Sequence, residues 1–217
     1  MQPLDLFLPY LQPWLSAVPE PLARSALLRA AREFCERTSI CEVTAGPLNA
    51  AAGQADFPFT VPADLEVVRL KRAWWGTTEL LQVTPEEVDS PLAYTPTAGG
   101  QSRSSGAPNA IWLSAPLTAT VSPLPDKALT GALTLRLIVR PSLSATTVPD
   151  ELLNTWMEGV VAKAALTIAG MPGGTMVSME MLASAQSTYM TQVARAADMA
   201  RRGPHRVSMR VQGNPFA

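Results

Sequence analysis

Apolar residues recur along this chain at two spacings, and the spacing changes twice. Between residues 3 and 15, Leu4, Phe7, Leu8, Leu11 and Leu15 fall at helical intervals, with Pro9 and Pro13 shortening or kinking the segment. The stretch VPEPLARSALLRAAREFCERTS repeats that pattern more clearly. Pro21 suits a helix start, Leu27, Ala30, Ala31, Phe34 and Thr38 form one stripe, and Arg24, Arg29, Arg32, Glu33, Glu36 and Arg37 occupy the rest. From Ile40 the period shortens. Pro or Gly at 46, 47, 53, 58, 62 and 76 cuts the chain into short runs rich in Val, Thr, Leu and aromatic residues. In ALTLRLIVR, residues 132–140, Leu133, Leu135, Leu137 and Val139 alternate with Thr134, Arg136, Ile138 and Arg140, the two-residue period of a strand. NAIWLSAPLTATVSP predicts a hairpin bending near Pro116, and LEVVRLKRAWWGTTELLQV another turning at Gly76–Thr77. TPEEVDSP predicts one helical turn with Thr84 as cap and Pro85 at its first position, and residues 95–109 a polar, glycine-rich loop.

Helical spacing returns after residue 150. Leu153, Trp156, Met157, Val160, Val161, Ala164, Ala165 and Ile168 form a wide stripe, and GMPGG stops it, with Gly170 suited to a left-handed cap. A last helix is predicted from about Met176 to Arg202, where Met179, Leu182, Ala185, Tyr189, Val193, Ala196 and Ala200 repeat at three and four. At 1.5 Å per residue it is about 40 Å long. The last two helices then form an antiparallel hairpin whose apolar faces the first two must cover. The reading is an α+β chain: an antiparallel bundle of about four helices, with an antiparallel β-sheet or sandwich inserted between helices two and three, and an extended C-terminal arm. Its parts are residues 1–40 (bundle, first part), 41–141 (inserted β domain), 142–202 (bundle, second part) and 203–217 (arm).

Composition narrows the function. Of 217 residues only 16% are charged, fewer than the usual quarter, which favours extra surface buried against copies of the same chain. A net charge of −1 provides no global field toward nucleic acid or acidic membrane. Lys71, Lys127 and Lys163 are the only lysines among 17 basic residues, so arginine, the better residue for fixed bidentate contacts, dominates. Cys35 and Cys41 have no CxxC or Cys/His neighbour and read as a reduced, buried pair, with a disulfide as the alternative. MQPLDLFLPY lacks the basic region and cleavage site of a secretion signal, and no apolar run reaches the length of a membrane span. A soluble product, cytoplasmic when made and without a membrane partner, is expected.

Catalytic motifs are hard to assemble. The one histidine, His205, sits among arginines in RRGPHRVSMR, so a Ser-His-Asp or Cys-His site has nothing to order it, and zinc lacks ligands. Asp150/Glu151 and Glu86/Glu87/Asp89 lie at helix starts, where carboxylates stabilise exposed N–H groups, while Glu33/Glu36 lie on a solvated helix face among arginines. GMPGGT lacks the lysine and preceding strand of a phosphate loop. No catalytic residue, metal or cofactor is expected. Trp74, Trp75 and Trp112 read as packing residues, with one of the adjacent Trp74 and Trp75 exposed as a subunit or tail contact.

The terminus says more. After Asp198 there is no acidic residue. Arg201, Arg202, His205, Arg206 and Arg210 alternate or mix with Val207, Met209, Val211 and Phe216. Such a segment cannot bury both faces alone, which favours an arm ordering on a partner by adding a strand or filling a groove.

LQPWLSAVPEPLARSALLRAAREFCERTSI resembles the opening helix of a family of tailed-bacteriophage head-to-tail connector, or adaptor, proteins, and LTLRLIVRPSLSATTVPDELLNTWMEGVVAKAALTIAGMPG resembles the strand and helical hairpin that form its second landmark. The resemblance covers both helical blocks and is weak across residues 44–130. It implies a virion protein of the neck or tail, assembled in the host cytoplasm. Copies would form a ring docked under the twelve-fold portal protein. Helices would build the ring, the C-terminal arm would climb onto the portal, and the β insertion would face outward or toward the next tail or nozzle protein. DNA would pass through the channel without sequence-specific binding. Two alternatives stand beside this: a tail-terminator or tail-tube component, and a virion-associated hydrolase with two carboxylates facing across a cleft.

Overall fold

Residues 1–12, 18–84, 105–171 and 178–202 are described by the computed structural model. Strand β1 (Gln2–Pro3) leads through a 3-10 turn (Leu4–Phe7) to the short helix α1 (Leu8–Leu11) and the long helix α2 (Glu20–Thr38). Next come β2 (Glu42–Ala50), β3 (Asp56–Pro58), β4 (Leu65–Trp75), β5 (Thr78–Glu79) and β6 (Leu81–Gln82). After residue 104 follow β7 (Ser105–Gly106), β8 (Ala110–Ala115), β9 (Thr118–Ser122), β10 (Leu124–Pro125), β11 (Leu129–Pro141) and β12 (Thr147–Val148). Helices α3 (Asp150–Asn154), α4 (Met157–Ala169) and α5 (Met179–Arg202) complete the described chain. The architecture is mixed α+β with antiparallel sheets.

Alternation in ALTLRLIVR decides the centre of the molecule. Its strand is the 13-residue β11, which pairs antiparallel with β2 on one side and β4 on the other. With β5 hydrogen-bonded to the far end of β4, the first sheet has the order β2–β11–β4–β5. A second sheet has the order β3–β9–β8–β6, antiparallel except for the parallel pair β6–β8. The two predicted hairpins are present: β8 and β9 flank Pro116–Leu117, and β4 and β5 flank Gly76–Thr77. The second hairpin has an unforeseen continuation. Immediately after β5 the chain buries Leu80 and crosses to the other sheet as β6. Within the polar loop read at 95–109, Ser105–Gly106 pairs with β10, while residues 95–104 and TPEEVDSP after Thr84 lie outside the described residues.

One glycine fixes the irregular edge of the first sheet. β2 carries an extra residue between its pairings Leu48↔Leu133 and Ala45↔Leu135. Gly46 there takes φ +107, and a Cβ would stand 2.7 Å from the Leu133 carbonyl oxygen. A β-bulge with this backbone needs glycine.

Helix α2 lies on β11, α4 lies on α2, and α5 packs chiefly on α4. The whole predicted stripe of α2, Leu27, Ala30, Ala31, Phe34 and Thr38, is buried. One hydrophobic core runs from these helices into the sheets, with Leu133, Leu135, Leu137 and Val139 of β11 inaccessible to solvent. The last two helices are antiparallel, since Glu158 meets Gln192 while Lys163 lies over the ring of Tyr189. They approach closely at Gly159, where a Cβ would stand 2.9 Å from both Gln192 Cβ and the Phe34 ring.

Two readings are corrected. The helix predicted over residues 150–169 is interrupted. Thr155 and Trp156 leave helical geometry at φ −124 and −118, and Trp156 turns inward against Phe34 with ring centroids 6.0 Å apart. Burial of an indole outweighs the local preference for an unbroken helix. The cysteines are also not a reduced pair: Cys35 and Cys41 are joined by a disulfide. The cause is the end of α2, where Ser39 adopts the left-handed conformation (φ 56) and reverses the chain. That places the Cα atoms 5.5 Å apart, within bridging range.

Candidate functional site

Side chains that carry charge cluster at three seams. Where α2 meets the first sheet, Arg32 and Arg140 converge on Glu66 Oε2 at 3.1 and 3.2 Å, and Arg140 also reaches Glu36 at 2.9 Å. The hydrogen bond from Arg32, partly opposed by burial and helped by both arginine charges, holds the Glu66 carboxyl below its ordinary range. Where α2 meets α4 and α5, Glu33 receives Lys163 at 2.9 Å, the Tyr189 hydroxyl at 3.1 Å and Arg37 at 3.3 Å. Burial pulls Glu33 upward, but the hydrogen bonds from Lys163 and Tyr189 and the two cations outweigh it, leaving the carboxyl lowered. At the third seam Glu42 of β2 pairs with Lys71 and, at 3.6 Å, with Arg136.

That third seam borders a cleft of about 530 Å³ that also contains Glu151. Burial, then the negative charges of Glu42 and Asp150, raise the Glu151 carboxyl. Glu42 and Glu151 are thus the carboxylates that share a cleft, a pairing the sequence did not indicate because 109 residues separate them. Glu42, however, is already engaged by two cations, which suits an ion-pair tie more than a free base. Among the described residues no group of three or more His, Cys, Asp or Glu is placed to hold a metal ion.

A groove of about 690 Å³ lies at the C-terminal end of α5. Its floor is β4, its walls are β8, the end of α2 and the last turns of α5, and Gln82 and Val83 border it. Trp112, buried at 9% exposure, is one of its walls. Trp74 and Trp75 lie elsewhere on the sheets, both half-buried. Trp75 meets Phe57 of the second sheet edge-on at 5.9 Å, and Trp74 carries the Arg136 guanidinium over its ring at 5.7 Å. Neither is left fully exposed, because each adjacent face finds a partner. Arg201 lines the groove and Arg202 pairs with Asp198 at 2.8 Å. His205, Arg206, Val207, Met209, Arg210, Val211 and Phe216 lie outside the described residues.

What the chain offers among these residues is contact surface and cross-element ion pairing, the equipment of a structural protein. A family model described as SU10 adaptor protein matches residues 6–212, and the chain belongs to that family of phage structural adaptors. No curated protein matches it. Membership makes it a virion component that works by contact with other phage virion proteins. No described helix is long and apolar enough to cross a membrane.

Proposed function

We propose that this adaptor joins the phage portal to the tail as a ring of identical subunits, matched to the twelve-fold portal. The observation that carries the reading is the family match, which spans both helical blocks and the sheets between them. In this reading the helical parts, residues 1–40 and 142–202, build the ring, and residues 41–141 present contacts to the next tail or nozzle protein. The terminal arm, residues 203–217, docks on the portal through Arg206, Val207, Met209, Arg210, Val211 and Phe216, with Arg201, Arg202 and His205 at its root. Exposed Met179 (81%), Tyr10 (51%) and Met190 (49%) on the helices supply apolar area for side-to-side contacts that close a ring. DNA passes through the channel unread. No reaction is assigned to the protein.

Deletion of residues 203–217 tests the arm. The truncated protein should keep its circular dichroism and melting temperature, because it retains the core, yet fail to co-purify with portal rings. Normal assembly of the truncated form, seen by pull-down and electron microscopy, would refute the docking role. Co-purification with tail protein in place of portal would assign the protein to the tail terminator or tube instead.

A further inference from the structure

Strand β4 is paired along its whole length on one side only. β11 covers residues 65–75. On the other side β5 covers only Trp74 and Trp75, after which Leu80 N–H donates to the Ala73 carbonyl and the Gln82 side chain to the Lys71 carbonyl. Among the described residues no strand continues that edge back to Leu65. β8 shows the same shortfall: β6 pairs with Ala110 and Ile111, and among the described residues Trp112 to Ala115 have no strand beyond them. Both open edges border the 690 Å³ groove. Four consecutive β4 residues, Val68 to Lys71, touch it. Two register shifts against β11, at Lys71 and Val68, break the alternation of faces over this stretch, and Ile138 of β11 also lines the groove, so the groove borders the open edge and reaches over the sheet beside it. Open edges are templates for another strand.

Charge selects the occupant. Arg37, Arg69, Lys71 and Arg201 line the groove, and among the described residues no carboxylate does. Arg37 and Lys71 are balanced by Glu33 and Glu42, whereas Arg69 is held by the Ser39 hydroxyl at 2.7 Å and no described carboxylate pairs with Arg69 or Arg201. A cationic, apolar-walled channel in a molecule of net charge −1 is a local design feature. The chain's own tail is a poor match, because residues 199–217 contain no acidic side chain. We infer that this groove receives an extended segment of another polypeptide, one alternating acidic with apolar residues, which adds to the β4 edge as a strand with its carboxylates against Arg69 and Arg201. The contact shares Arg201 with the root of the portal-binding arm but does not depend on residues 203–217.

The probe is a fluorescein-labelled nine-residue peptide alternating Glu with Val, titrated by anisotropy into the full-length protein. Saturable binding should quench or shift tryptophan emission, and Trp112→Phe should remove most of that signal. The double variant R69E/R201E, both positions being exposed, should weaken binding by about tenfold or more at unchanged melting temperature. N-methylation of alternate peptide residues separates strand addition from charge attraction. One set of positions should cost about tenfold and the other almost nothing, because only one row of amides faces the receiving edge. The inference is overturned by absence of binding, by equal binding of a scrambled peptide, by equal loss from both methylated sets, or by tighter binding of a thymidine oligonucleotide of equal charge, which would make the groove a phosphate surface.

Discussion

Helix α2 is held on two sides by charged knots of similar composition and different construction. On the sheet side, Glu66 sits between two arginines drawn from distant elements, and the Arg32 hydrogen bond dominates its environment. On the helix side, burial is the largest influence on Glu33, and the hydrogen bonds from Lys163 and Tyr189 with the charges of Lys163 and Arg37 outweigh it, leaving the carboxyl lowered. The sheet seam is an orienting clamp at the margin of the core. The helix seam is a closer fit, with a glycine, an aromatic and a partly buried carboxylate close together. Rigidity on that second side follows from packing first and from charge second.

The largest break in this comparison is Gly159→Ala. The added methyl meets Phe34 and Gln192, so the variant should lose about 1–3 kcal/mol despite the better helix propensity of alanine. Denaturant midpoints would measure it, and a gain in stability would show that α4 and α5 are not in close contact there. The carboxylates sharpen the contrast. Glu66→Gln and Glu33→Gln should each cost on the order of 1 kcal/mol at neutral pH. Both pKa values are lowered in the folded state, so the stability they confer is present above about 4.5 and fades as pH falls through the lowered values. Each variant should therefore converge on the wild type in acid. Lys163→Met should then raise the Glu33 titration seen by NMR while leaving Glu66 unmoved. The smallest effect belongs to Glu151, whose carboxyl is raised. Its charged form opposes folding at neutral pH, so Glu151→Gln should add a few tenths of a kcal/mol there and nothing once pH falls below about 4.5.

These seams mark where the sequence stops being informative. The α2 stripe, β11 and both hairpins follow from local period, because burial of one face imposes it within ten residues. The partners of Glu66 do not: Arg32 and Arg140 are 34 and 74 residues away. The break at Thr155–Trp156 was hidden because both helical fragments share one stripe. The bridge between Cys35 and Cys41 depended on a left-handed serine, a conformation that glycine or asparagine would have advertised. The groove was invisible for a different reason. Open edges are what remains after every strand has chosen its neighbour, so they have no motif of their own. Arg201 drew attention as the root of the arm; Arg69, its counterpart across the groove, looked like one more surface position on a strand.

The Lys71 ammonium donates to the Ala200 carbonyl at 3.1 Å and also pairs with Glu42. This fastens the last turn of α5 to the middle of the first sheet. A mechanical load applied to the chain beyond Arg202 therefore reaches β4 and β2 through one ammonium group as well as travelling back along the helix. Lys71 also lines the groove, so the end of α5 and any segment seated in that channel would share this one side chain.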